Sequence, residues 1–229
     1  MIGSRTRYSP IVILFVLVVA LAWTVVGGGL HGLAQSTALI VAIAKMDLGA
    51  PPNDFDFART GQGKPGLWRV VADASASNGR SIEQSDADRT DYRFPLAIHR
   101  SFSAKNVDAS VRFNAVAGTV DQAAGIVVRL IDPDNYYVAR ANAMEDNVRF
   151  YRVVKGRRQE LKGANLRVSP NEWHTLGLKA DGENFTVQFD GKPLFTTTDK
   201  TFADAGKFAL WTKADSITRF DQIELKVLP

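Results

Sequence analysis

The sequence predicts an all-β fold in which two antiparallel sheets stack as a sandwich. Three observations carry this. Gly125–Ile131, Tyr136–Ala141 and Val148–Val154 are β-rich runs parted by polar breaks at 132–135 and 142–147, the pattern of a meander. Apolar residues alternate along Val107–Ala115, with Val107, Ala109, Val111 and Phe113 on one face and Asp108, Ser110, Arg112 and Asn114 on the other. Turn signals recur about every 8–12 residues from Leu67 onward, the spacing of a sandwich, and no amphipathic helix of convincing length interrupts them.

Each element can be justified in chain order. Arg5 and Arg7 precede the 16-residue apolar run Ile11–Val26, a basic segment and then an apolar one, as in an export signal. Gly32-Leu33-Ala34 supplies small residues for cleavage before Gln35, and Ala42-Ile43-Ala44 is a second such site. Left uncleaved, the same leader is an anchor, with its basic end held in the cytoplasm. Residues 1–34 are therefore a signal peptide or membrane anchor. Either outcome puts the β domain outside the cytoplasmic membrane: in the periplasm or cell envelope, or secreted.

Residues 35–66 read as a linker or irregular lead-in, because Pro51-Pro52, Gly61, Gly63 and Lys64-Pro65-Gly66 punctuate them. The sandwich is expected over 67–229. Leu67–Val71 and Ser81–Ser85 are short strands around an Asn78-Gly79 turn. Phe94–His99 is another, and Pro95 suggests an edge. Trp173–Ala180 alternates, then Asp181-Gly182 turns into Asn184–Phe189, where Phe185, Val187 and Phe189 share a face. Asp190-Gly191 is the best hairpin signal, since the pair accepts the positive φ angles of a type I′ turn. Lys192–Thr198, Lys207–Thr212 and Ser216–Val227 complete the domain.

Composition excludes several classes. Hydrophobic residues make up 45% of the 229, enough for a full core. There is no cysteine, so neither disulfides nor thiolate chemistry can operate. The net charge of +4 drops to 26 basic against 24 acidic residues once Arg5 and Arg7 are set aside, so nothing points to nucleic acid. The basic cluster Lys155-Gly156-Arg157-Arg158 reads as a solvated hairpin tip rather than a phosphate site. Outside the leader only His99 and His174 remain, which excludes a three-histidine metal site, and no Gly-x-Ser-x-Gly elbow occurs.

Several phrases resemble the concanavalin A-like (laminin-G-like) β-sandwich superfamily. They are Ala124–Arg129, Asp132–Tyr137, Val138–Asn142, Glu172–Leu176, the Asp190-Gly191 hairpin and Ala205–Thr212. They are similar in particular to bacterial exported 3-keto-disaccharide hydrolase-type domains, and the likeness runs from about Leu67 to Leu225. The resemblance implies a concanavalin A-like jelly roll whose concave sheet binds ligand. The chain lacks the Glu-x-Asp-x-x-Glu strand motif of many glycan-cleaving enzymes on this fold, so their catalytic residues do not carry over.

On such a sheet an aromatic ring can stack on a sugar while Arg and Asn bond its hydroxyls. Arg129, Tyr137, Arg140, Asn142 and Arg149 are the candidate ligand-binding residues, joined by Trp211 and Lys213 near a loop. The same residues equally suit cross-strand packing. Asp132-Pro133-Asp134-Asn135 offers three oxygen-bearing side chains in four residues; Asp132, Asp134 and Asn135 suit calcium, and they also suit an ordinary turn. The leading expectation is an exported cell-envelope module that binds carbohydrate-containing ligands. The rival from the resemblance is cleavage of 3-keto-disaccharides, with Asp132, Asp134, Glu145 or Asp146 as the carboxylate. A structural, protein-interaction module is the third class.

Overall fold

The computed structural model describes residues 38–229, and the expectations for residues 1–34 lie outside them. Among the described residues, fifteen strands form two antiparallel sheets. Sheet A contains β1 (Ala38–Ile40), β3 (Trp68–Ala72), β4 (Arg80–Gln84), β6 (Val107–Ala117), β11 (Trp173–Asp181), β12 (Asn184–Phe189), β13 (Lys192–Thr198) and β15 (Ile217–Val227). Its order is β13-β12-β11-β6-β15-β4-β3. Both β4 and β1 pair with β15, at Thr218–Phe220 and at Glu224–Lys226. Sheet B contains β2 (Phe55–Gly61), β5 (Arg93–Ala104), β7 (Ala123–Asp132), β8 (Asn135–Asn142), β9 (Asn147–Val154), β10 (Arg157–Asn165) and β14 (Gly206–Trp211), in the order β10-β9-β8-β7-β14-β5-β2.

Alternation fixes which residues meet between the sheets. Val107, Ala109, Val111 and Phe113 from sheet A are buried in one core with Ala124, Ile126, Val128, Tyr137, Ala139, Phe150, Phe208 and Leu210 from sheet B. Successive side chains on a strand point to opposite faces. The other face of sheet B therefore gathers a second apolar cluster, with Phe94, Leu96, Val127, Tyr136, Val138, Tyr151, Val153 and Trp211. The Asp190-Gly191 hairpin has φ of 48° and 74°, as a type I′ turn requires.

Two readings of the sequence are corrected, and a cleavage after Ala44 acquires a structural consequence. The segment 35–66, expected as an irregular lead-in, carries two paired strands among its described residues: β2 pairs with β5 from Phe55↔His99 to Gly61↔Arg93, and β1 pairs with β15. The prolines and glycines around β2 mark the turns that bound a strand. The 3-10 turn Ile43–Lys45 buries Ile43, so cleavage after Ala44 would strip β1 from sheet A. Finally, β5 is an interior strand between β14 and β2, although it holds Pro95. The Pro95 carbonyl accepts from Thr212 N, so the strand keeps a bond to the β14 side at this residue although the proline supplies no N–H.

Candidate functional site

The outer face of sheet B carries one cross-strand row through five adjacent strands. The register aligns Trp211 (β14) with Gly125 (β7), Gly125 with Arg140 (β8), Arg140 with Arg149 (β9) and Arg149 with Gly163 (β10). The two glycines leave room for their large neighbours. A β-carbon on Gly125 would stand 3.0 Å from Trp211 Cε3 and 3.2 Å from its Cβ. One on Gly163 would overlap the Arg149 side chain, whose Nη1 would lie at 2.8 Å. Trp211 and Arg149 thus lie over glycines on either side of Arg140.

Around Arg140 the side chains interlock. Arg140 is 3% exposed; its Nη1 donates to Asn147 Oδ1 at 2.7 Å, and its Nη2 donates to Glu145 Oε2 at 2.7 Å and to the Tyr151 hydroxyl at 3.2 Å. Arg140 Nε is buried with no hydrogen-bond partner among the described residues. Asn142 donates to Asp121 Oδ1 at 2.8 Å and accepts from the N–H groups of Met144 and Glu145, which fixes the β8–β9 turn. Lys213 Nζ lies 2.7 Å from Asp121 Oδ2 and 3.1 Å from Asp91 Oδ1. Arg149 Nε meets Glu160 Oε1 at 3.4 Å. The Arg158 guanidinium lies 4.4 Å from the Tyr151 ring centroid and 5.0 Å from that of Phe94, which stacks on Trp211 at 5.1 Å.

The charges follow from these contacts. Burial works to raise the Glu145 carboxyl, but the bond to and charge of Arg140, the Asn147 amide and the Lys213 charge together hold it below the usual range. Burial opposes charge on Lys213, yet the carboxylates of Asp121 and Asp91 hold its ammonium above its ordinary value. Burial likewise opposes charge on Arg140, and Tyr151 and Glu145 keep it above its ordinary value. The site is a set of pre-oriented ion pairs and amides beside aromatic rings. Planar amide and guanidinium groups held in place are suited to neighbouring hydroxyls, and an aromatic ring to the apolar face of a sugar.

Of the seven candidate ligand residues, the structure brings five together: Arg140, Asn142, Arg149, Trp211 and Lys213. Trp211 contributes as a fully buried platform rather than an open ring. Arg129 and Tyr137 are elsewhere, and the reading that placed them on this surface is corrected. Arg129 sits in a bulge at φ 50° and donates to the carbonyls of Lys105, Phe202 and Gly182 at 2.8, 2.8 and 2.6 Å. Tyr137 faces the inter-sheet core against Phe150, Phe185 and Phe202. Parity already separates it from Arg140, three residues along the same strand.

The four candidate carboxylates do not converge. Asp132 and Asp134 lie in the β7–β8 turn, at the opposite end of β8 from Glu145 and Asp146. The Asp132 carboxylate accepts from Asp134 N at 2.7 Å and from Asn135 Nδ2 at 2.9 Å, which are turn bonds. Asp146 accepts from Val168 N, so only Glu145 belongs to the site. Among the described residues no three His, Cys, Asp or Glu side chains gather to hold a metal ion. Sequence reasoning missed Asp121, Asn147, Tyr151, Arg158 and Glu160. The first two lie beside turns, but Tyr151 shares the parity of Arg149 and was open to the same argument.

The fold is an all-β sandwich of two antiparallel sheets, and solved structures share it. The chain is similar to carbohydrate-binding module CBM66 from Bacillus subtilis, at 21% identity over 75% of this chain and 96% of that one, with a TM-score of 0.57. A protein of unknown function with a galectin-like fold, also from Bacillus subtilis, matches at 9% identity over 75% and 89%, with a TM-score of 0.53. A native glycosidic hydrolase matches at 11% identity over 83% and 95%, with a TM-score of 0.53. No protein-family model and no curated protein matches the sequence.

Proposed function

We propose that this chain is an exported cell-envelope module that binds carbohydrate on the outer face of sheet B. One observation carries the reading: five adjacent strands align Trp211, Arg140 and Arg149 in a single row, and Arg140 is buried there with an N–H left over. Buried polar groups are nearly always partnered, so an orphaned donor beside exposed polar side chains marks a place where a ligand or water completes the set. Glu145, Glu160 and Asp91 reach solvent around it. Two of the similar folds are a carbohydrate-binding module and a glycosidic hydrolase, which supports a sugar ligand by fold analogy. The basic, then apolar leader supports export. Isothermal titration against a glycan panel, with and without calcium, tests the binding. Heat from at least one glycan that disappears in Arg140→Ala is expected, and silence across the panel removes the sugar reading.

A second reading has one observation in its favour. Cleavage of a 3-keto-glycoside needs a base to take an acidified ring proton and a cation to steady the enolate, and Glu145 and Arg140 stand 2.7 Å apart. Incubation with a 3-keto-disaccharide decides it: turnover abolished by Glu145→Gln supports lysis, and turnover that survives this change rejects Glu145 as the base.

A further inference from the structure

Arg158 differs from the other cations of this face. Lys213 takes two carboxylates, Arg140 takes Glu145 and Arg149 takes Glu160. Arg158 has neither an ion pair nor a side-chain hydrogen bond among the described residues, and its Nη1 is buried without a partner. The β9–β10 turn is what places it. Lys155 and Gly156 turn the chain at φ 50° and 72°, and the backbone N–H of Arg158 donates to the Tyr92 hydroxyl at 3.0 Å. The guanidinium then lies over Tyr151 and Phe94. Rings beside a guanidinium hold its orientation and engage its π-system, and leave its N–H groups to partners in its own plane. A half-buried, oriented and uncompensated fork is a receptor for a planar anion, since carboxylate oxygens match two parallel N–H bonds. The expectation that Lys155–Arg158 is merely a solvated tip does not describe this residue.

Resting on the carbohydrate reading above, we infer that the sugar recognised is an acidic one, with a ring carboxylate that docks on Arg158. Its ring lies toward Tyr151 and Arg140, and its hydroxyls meet the Arg140 and Glu145 side chains. Glu145, Glu160, Asp121 and Asp91 each already have a cation, and a neutral sugar brings no charge to answer that of Arg158. An acidic sugar supplies the missing charge. A sulfated sugar also brings charge, but tetrahedral rather than planar.

Titration of the full chain with matched sugars tests this. The probes are an oligogalacturonide and its full methyl ester, methyl glucuronide against methyl glucoside, and a sulfated oligosaccharide. The free acids are expected to bind at least about tenfold more tightly than their neutral counterparts. Added salt should weaken the acids, and Arg158→Gln should close the gap between each acid and its neutral counterpart. Equal affinity for acid and ester in the unaltered protein overturns the inference and leaves the sugar reading standing. So does an acid preference that persists in Arg158→Gln, or tighter binding of the sulfated probe than of either acid. If neither acid nor neutral sugar binds, the carbohydrate reading itself falls, and this inference with it.

Discussion

Trp211 lies across Gly125, its Cε3 3.0 Å from where a β-carbon on that glycine would stand. The indole is fully buried, stacks on Phe94 and donates to the Tyr136 hydroxyl at 3.3 Å. Gly125 therefore fixes the floor of the row that ends at Arg149. Gly125→Ala should push the indole off Phe94 and cost about 1–3 kcal/mol, the usual range for overpacking. Tryptophan emission and a urea melt check this: a shifted emission with lowered stability is expected, and unchanged values of both would show that Trp211 has slack the geometry denies.

Lys213 and Asp121 make the most buried ion pair of the site, the carboxylate being 1% exposed. Removing one member leaves the other without its charge partner, which is far costlier than removing both. Lys213→Met should lose about 3 kcal/mol. The double variant Asp121→Asn, Lys213→Met should recover a good part of that loss, because no uncompensated buried charge then remains and Asp91 faces solvent. A double-mutant cycle by chemical denaturation reads the coupling directly, and losses that simply add would show that the pair contributes nothing.

Arg129 and Arg140 read alike in the sequence, yet they do different work. Arg129 satisfies three carbonyls between the sheets and lies 5.1 Å from the Phe185 ring. Arg129→Gln should cost about 3 kcal/mol or more, since buried acceptors then lose a charged donor. It should leave the affinity of the folded fraction for any glycan unchanged, while Arg140→Ala abolishes it. Paired denaturation and titration of both variants give the answer, and weakened affinity in Arg129→Gln would return that residue to the site.

The sandwich was legible because its inner strands alternate. Val107–Phe113 and Phe185–Phe189 bury every second residue, and the type I′ pair Asp190-Gly191 declares its own hairpin. β2 and β10 escaped for a shared reason. Both are edge strands with largely exposed or half-exposed side chains, so no apolar period marks them. The site was half legible. Arg140, Asn142 and Arg149 follow from the meander, but the residue type of Arg129 cannot reveal that a bulge turns it away. Arg158 hid in a basic run that looks like any solvated turn; only its rings, Tyr151 and Phe94, brought from other strands, set it apart.

Tyr137 gives the fold an alkaline limit. Its hydroxyl donates to Asp199 Oδ1 at 2.5 Å and accepts from Phe202 N at 3.1 Å. Burial, and then the hydrogen bond donated to the Asp199 carboxylate, push the phenol from 10.0 up to about 12. The folded state thus favours the neutral phenol more than the unfolded chain does. Its contribution to stability is fully present below pH 10 and is lost as pH rises through about 12. Tyr137→Phe removes the donor to Asp199 and leaves the Phe202 N–H unmet, so the variant should be less stable at pH 7 by about 1.5–3 kcal/mol. The gap between the two proteins should then narrow as pH climbs from 10, because only the parent still has a phenol there to ionise. Urea denaturation of both from pH 7 to 11.5 measures that gap, and a constant difference over the whole interval would show that Tyr137 titrates alike in the folded and unfolded chain.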